Sequence, residues 1–495
     1  MFPVSFRPHA AALTCLLALA ACSAGPDFVR PPTAAPDDWT RWHGDADPLH
    51  RDAGTDALPE GDWWRACHDP VLDELQHRAI DAGPDLQTAA LHLAQARLQR
   101  RATQARQLPE VGASGGVTRQ RQSESGASTR LLDLIGGDQT QALKQALSEP
   151  FDLYQAGVDL SWEPDLWGRL RRAVEAADAD VEQQAALLDM TRLAISIDVA
   201  TSYFDLRTAQ RQAALLREDI RAMEERLEII EARIVAGVID HLDADRQRAE
   251  LAATRARLPA LMALESSRAN ELALLLGQQP GTLDELLHPR DADAWPALPD
   301  LALGLPSEVA LRRPDIRAAE ARLHAATAAI GLARADMYPS LRLGARFGHE
   351  SYRAGDFGDW GSRTWSLGPV LDLPIFDHGR RRSVVQLREL QQQEAAIAFQ
   401  RTVLKAWQEI DDALGQYASL QEQERHLQAR EANAQDAWRL ATAKYEAGTM
   451  DFLGVIDSQR SLIQARIDLA QNHGRLRAAF AAINKAIGNV PRGPE

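Results

Sequence analysis

Ala236-Gly237-Val238-Ile239-Asp240-His241-Leu242 and Ala447-Gly448-Thr449-Met450-Asp451-Phe452-Leu453 are one design written twice. Each follows a long proline-free run and precedes a second helical run that closes on a glycine, Leu276-Gly277 in the first copy and Ile487-Gly488 in the second. The echo continues upstream. Pro84-Asp85 opens a helix that stops before Leu108-Pro109, as Pro314-Asp315 opens one that stops before Tyr338-Pro339, and Trp167-Gly168-Arg169 answers His378-Gly379-Arg380. A period of about 200 residues is far longer than the 20–50 of a stacked solenoid unit. Each copy must therefore be an assembly of helix, strands and a long helical hairpin.

The first long helix is expected from Arg169 to Ala236. Its apolar residues, among them Leu170, Val174, Val181, Leu188, Ile195, Val199, Tyr203, Leu206, Leu216, Ile220, Met223 and Ile230, recur at alternating three and four spacing for about nine heptads. At 1.5 Å per residue such a helix is about 100 Å long. Arg380 to Ala447 predicts a second of the same length. Gly237 and Gly448 suit left-handed C-caps. Asp240 and Asp451 suit the N-caps of returning helices, the first of which should be kinked or broken at Pro259. Two antiparallel hairpins per chain result, with tips at equivalent positions.

The other ends of the helices lead into alternating patterns, Pro109 to Gln120 and Tyr154 to Trp162 in the first copy, Leu341 to Phe347 and Trp365 to Leu373 in the second. Each run is about ten residues, the length of a tilted membrane strand. Tyr154, Trp162, Tyr338, Trp360 and Trp365 at or near the ends fit an interfacial girdle. Four strands cannot close a barrel, and an open sheet edge is not tolerated in lipid. Several copies must share one barrel. Three give twelve strands and a water-filled lumen, whereas two give eight, which side chains tend to fill.

At the N-terminus, Arg7 and His9 precede an apolar run from Ala10 to Ala21, too short for a stable span, which reads as a signal peptide. It ends at Leu19-Ala20-Ala21-Cys22, the pattern of a bacterial lipobox whose cysteine is acylated, and two or three acyl chains give stable attachment. Cys22 is thus the expected lipidation site, with Ser23 after it implying sorting to the outer membrane. Removal of Cys15 with the signal leaves Cys67 as the sole unmodified thiol, so no intramolecular disulfide is expected. Cys67-His68-Asp69 are adjacent residues, which rarely converge on one metal, and no metal site is expected there. A net charge of −15 argues against nucleic acid as a partner. The sequence divides as a signal at 1–21, a lipid-anchored extended segment at 22–70, a first repeat at 71–280, a proline-rich linker at 281–312, a second repeat at 313–490 and a tail at 491–495.

Seven motifs in order resemble the TolC/OprM outer-membrane efflux protein superfamily, most closely the lipoprotein (NodT-type) branch of RND efflux outer-membrane factors. They are Cys22 with Gly25-Pro26-Asp27-Phe28; Trp63-Trp64 before Asp69-Pro70; Ser161-Trp162-Glu163 with Asp165-Leu166-Trp167-Gly168-Arg169; Gly304-Leu305-Pro306-Ser307 with Arg312-Arg313-Pro314-Asp315; Tyr338-Pro339-Ser340; Leu373-Pro374-Ile375-Phe376; and Asp457-Ser458-Gln459-Arg460-Ser461-Leu462. The resemblance implies a mainly helical chain with a small transmembrane β part. Such chains trimerise into a twelve-stranded barrel and a long α-helical barrel, docked at the helical tips on a periplasmic adaptor that links them to an inner-membrane pump. It places the docking tips at Gly237 and Val238 and at Gly448 and Thr449, and Asp436 near a periplasmic aperture. Within the first copy Arg246 stands where the second has Asp457, and the connection Ser123 to Glu149 is longer than Ser351 to Ser362.

Other classes are less compatible with the sequence. Gly112-Ala113-Ser114-Gly115-Gly116 matches the pattern of a nucleophile elbow, but an elbow needs a helix after its strand, and Thr118-Arg119-Gln120-Arg121-Gln122 starts none. No catalytic residue, cofactor or nucleotide loop is predicted, so any energy for transport must come from a partner. A lipid-anchored coiled-coil surface protein would lack paired amphipathic strands. An exit duct for type I protein secretion would share this fold, and fold alone does not separate it from small-molecule efflux.

Overall fold

In this computed structural model the residues described are 23–32, 61–126, 130, 140–288, 298 and 312–492. Cys22, the signal segment, most of the 281–312 linker and the motif at Gly304–Ser307 lie outside them. The elements run α1 (Pro70–Ala82), α2 (Pro84–Ala105), β1 (Glu110–Gln120), α3 (Thr140–Leu147), β2 (Phe151–Trp162), α4 (Arg169–Val235), α5 (Leu242–Leu275), α6 (Asp284–Leu287), α7 (Pro314–Ala335), β3 (Ser340–Ser351), β4 (Arg363–Asp372), α8 (Arg380–Glu446) and α9 (Phe452–Ala486). The expected duplication is visible in the lengths: α4 and α8 have 67 residues each, and their returning partners α5 and α9 have 34 and 35. No described helix is long and apolar enough to cross a membrane.

The chain forms two compact units. The first draws on Met1–Val29, Ala96–Val181 and Arg322–Ala395 and contains one antiparallel sheet of order β1-β2-β3-β4. Directly opposed residues share a face, so the register assigns every side chain. One face carries Val111, Ala113 and Val117 against Leu160, Val158 and Tyr154, then Ala345 and Phe347, then Leu367 and Trp365. The other carries Glu110, Ser114, Asp159, Gln155, Arg342, Arg346, Glu350 and Asp372, with glycine at 112, 116, 157, 344, 348 and 368. Arg346 lies 3.6 Å from Asp159, and Gln155 donates to Glu350 at 2.6 Å. The sheet is amphipathic, and its apolar side chains stand in the open: Val117, Phe347, Trp365 and Leu367 are all exposed. Ser114 sits in mid-strand and donates to Asp159 Oδ2 at 3.2 Å, so the glycine-serine pattern is strand and not an elbow.

Below the sheet the strap Ser23–Val29 is laced to the same unit. Ala24 N donates to Trp167 O at 3.0 Å, and the buried Arg172 guanidinium donates to Asp27 at 2.6 Å and to Ala24 O at 3.2 Å. Phe28 stacks on His324 with centroids 4.5 Å apart. A Cβ on Gly331 would lie 2.7 Å from Ala24 O, so only glycine on α7 lets the strap lie this close.

The second unit draws on Arg30–Gln95, Glu182–Ala321 and Ala396–Glu495 and holds both hairpin ends. Trp63 and Trp64, on a 3₁₀ turn at Trp63–Cys67, are wholly buried. Asp69 caps α1 by accepting from Val71 N at 2.9 Å and accepts from Tyr203 Oη at 2.5 Å. Cys67 beside it is buried, and desolvation pushes its thiol up to about 12, which makes it inert.

One expectation changes at the tips. Asp240 is not the N-cap: α5 starts at Leu242 after His241, one residue later relative to its tip glycine than α9, and Asp240 instead accepts from Leu242 N at 2.9 Å. Asp451 does cap α9, accepting from Gly454 N at 3.1 Å. Pro259 does not break α5, which continues from Leu242 to Leu275. Pro259 and Arg255 are exposed there, so water can satisfy the carbonyl that the proline cannot bond.

Asp219 on α4 is buried, its Oδ2 has no hydrogen-bond partner among the described residues, and desolvation raises its carboxyl to about 6, with Arg466 opposing and Glu218 assisting. A folded-state value above the unfolded one means the native state binds the extra proton. Stability therefore falls as pH rises from about 4 to about 6. Asp219→Asn is expected to raise the melting temperature at pH 7 and to change it little at pH 4, read from the loss of helical circular dichroism. Equal effects at both pH values would refute the assignment.

Candidate functional site

Both hairpin tips are built by the same backbone device. Val238 N bonds Arg233 O at 3.0 Å and Gly237 N bonds Ile234 O at 2.9 Å; Thr449 N bonds Lys444 O at 2.9 Å and Gly448 N bonds Tyr445 O at 3.0 Å. These are paired Schellman bonds, closed by φ of +70° at Gly237 and +71° at Gly448. The same motif ends the returning helices at Gly277 and Gly488. The surroundings differ. A Cβ on Gly277 would meet Pro84 at 3.2 Å and one on Gly488 would meet Arg313 at 2.9 Å, whereas a Cβ on Gly237 or Gly448 meets nothing within 4 Å. The tip glycines face open space.

The tips also carry apolar side chains that the core leaves out. Val235 is 90 % exposed and Val238 70 %, with Leu242, Met450 and Leu453 less so. Just behind them Ile230, Ala244, Ala441, Phe452, Val455 and Ile456 form a buried cluster drawn from all four hairpin helices. The hairpins are also joined by polar contacts. Tyr445 Oη lies 3.4 Å from Asp243 Oδ2, the Arg233 guanidinium lies over the Tyr445 ring at 5.8 Å, and Arg460 donates to Glu250 at 2.7 Å. Desolvation and Asp243 both hold the Tyr445 hydroxyl above its ordinary pKa, so it stays a donor.

The residues expected at this end are not all brought together. Gly237 with Val238 and Gly448 with Thr449 occupy the two turns, while Asp436 lies on α8, exposed and 3.1 Å from Arg439. Arg246 lies 3.9 Å from Asp243. Tyr445 and Asp243 were not singled out from sequence. The available signal was the mismatch between copies, since Tyr445 stands three before its tip glycine where the first copy has Ile234.

Among the described residues the chain holds an amphipathic sheet with two open edges and two long helical hairpins, the parts of an outer-membrane channel subunit. A family model described as "Outer membrane efflux protein" matches residues 75–278 and 305–489. Outer membrane protein OprJ of Pseudomonas aeruginosa is 32 % identical over 479 residues, covering 96 % of this chain and 95 % of that one. Toluene efflux pump outer membrane protein TtgF of Pseudomonas putida is 30 % identical over 490 residues, covering 97 % of each. The solved outer-membrane channel OprN superposes with a TM-score of 0.82 at 30 % identity, covering 94 % of this chain and 99 % of that one. The chain belongs to the outer membrane efflux protein family, and it is an efflux channel of the outer membrane.

Proposed function

We propose that three copies of this chain form the exit duct of a tripartite efflux system, passively conducting small toxic compounds from an inner-membrane RND-type pump and a periplasmic adaptor. The observation that carries this reading is the sheet: one face mainly apolar until its rows reach the loops, one face mainly charged and glycine-rich, and outer strands β1 and β4 that, among the described residues, each keep an unpaired edge. An unpaired edge in lipid costs several kcal/mol for every orphaned group. Pairing β1 of one copy with β4 of the next removes both edges, and three copies close twelve strands around the charged face. The apolar tips at Gly237–Val238 and Gly448–Thr449 are the adaptor's docking points, and Asp436 is the candidate for the periplasmic aperture.

Acylation at Cys22 belongs to the same proposal. The strap places Ser23, the next residue, against Gly168, where a Cβ would lie 2.9 Å from the Ser23 hydroxyl. Gly168 follows Trp162, the end of β2, by a few residues, so acyl chains on Cys22 would enter the leaflet at the foot of the sheet. Native mass spectrometry of the detergent-extracted mature protein is expected to report three chains, each heavier by its acyl groups, and Cys22→Ser to lose that mass. A monomer without added mass would overturn both parts of the proposal.

A further inference from the structure

We propose that the loop end of the apolar sheet face is a binding rim for the phosphate groups of an anionic glycolipid in the outer leaflet. The inference rests on the membrane reading above and adds a lipid partner to it.

The apolar rows of this face end differently at the two ends of the sheet. Toward the helices they close on Trp162, Leu341 and Leu371, with no basic residue in the paired rows. Toward the loops they switch to Arg119 on β1 and to His349 opposite Arg363 on β3 and β4. The connection from β3 to β4 folds back over this end, where Phe357 packs on Tyr154 and His349 at 6.4 and 6.3 Å between centroids. Two arginines there are held by aromatic faces. The Arg363 guanidinium lies 3.7 Å from the Trp360 ring centroid, and that of Arg353 lies 5.2 Å from Tyr352.

A guanidinium held over an aromatic ring keeps N–H donors available, in the fork that suits a phosphate. Among the described residues neither arginine has a carboxylate partner, although Asp356 and Asp359 lie in the same connection. Arg119 is 3.6 Å from Asp152 and 73 % exposed, which leaves donors free. Trp360, Tyr352 and Trp365 are exposed beside them, an amphipathic belt next to a bare apolar face. Within the paired rows of this face the basic groups stand at the loop end only, which matches a bilayer whose phosphorylated glycolipid lies in one leaflet only. Phospholipid in both leaflets would favour no such asymmetry.

The test is native mass spectrometry of the full-length trimer titrated with bis-phosphorylated lipid A, monophosphoryl lipid A and phosphatidylglycerol. The wild-type trimer is expected to retain the bis-phosphorylated form at least ten-fold better than phosphatidylglycerol, with the monophosphoryl form between them. Arg353→Gln with Arg363→Gln should remove that preference, and Arg363→Lys alone should keep part of it. Equal retention of lipid A and phosphatidylglycerol, or an unchanged preference in the double variant, would overturn the rim while leaving the trimer and its conductance in planar bilayers intact. A chain that is monomeric and conducts nothing would instead overturn the membrane reading, and the rim with it.

Discussion

Replacing both tip glycines by phenylalanine, Gly237→Phe with Gly448→Phe, is expected to abolish drug export while the protein still reaches the outer membrane as an assembled channel. Two effects compete at these positions. An L-residue at φ near +70° costs roughly 1–2 kcal/mol, and the new side chain can clash. Among the described residues, no atom beyond the glycine's own chain neighbours and helix backbone lies within 4 Å of a Cβ at either tip, so chiefly the first effect reaches the fold. The phenyl rings project into the space an adaptor would fill, beside Val238 and Leu453. Gly277→Phe and Gly488→Phe provide the contrast. They carry the same φ penalty but meet Pro84 and Arg313, so folding should fail before export can be assayed. The measurement is drug susceptibility of a strain lacking its own channel, together with heat-resistant trimer in its outer membrane. Loss of trimer in the tip variant would reduce these glycines to helix caps.

Gly237 and Gly448 were legible in sequence because a long unbroken periodic run leaves one chemical reason for a following glycine, and the second copy repeats it. The strands were legible because period-two alternation over about ten residues has no helical equivalent. Their ends moved by a few residues, as β2 starts at Phe151 and β3 continues to Ser351. What stayed hidden were contacts between segments far apart in the chain. Nothing local links Tyr445 to Asp243, or Arg460 to Glu250, and nothing in Gly331 announces that a strap from the N-terminus crosses it. Pro259 leaves α5 unbroken because an exposed proline removes a single bond that water can replace. The short helix Thr140–Leu147, inside the long connection between β1 and β2, had no periodic signal long enough to read.

Trp63→Ala is expected to destabilise the chain by about 3–5 kcal/mol, the range for deleting a fully buried tryptophan side chain. The ring is wholly buried, sits edge-on to Trp64 and Phe480 with centroids 6.0 and 6.1 Å away, and donates Nε1–H to Ser196 Oγ at 3.1 Å. Truncation would open a cavity and orphan the Ser196 hydroxyl, while Gln76 still bonds Ser196 O at 2.7 Å and resists collapse of the site. Set against a typical domain stability of about 5–15 kcal/mol, that loss is large. Trp64→Phe separates ring packing from hydrogen bonding. Trp64 is equally buried, but among the described residues its Nε1–H has no partner, so phenylalanine removes an unsatisfied donor along with some volume and should cost about 1 kcal/mol or less. Thermal unfolding followed by helical circular dichroism at fixed detergent and protein concentration checks both. A loss for Trp63→Ala no larger than that for Trp64→Phe would mean that neither the deleted ring volume nor the Trp63–Ser196 bond holds the N-terminal turn against α4.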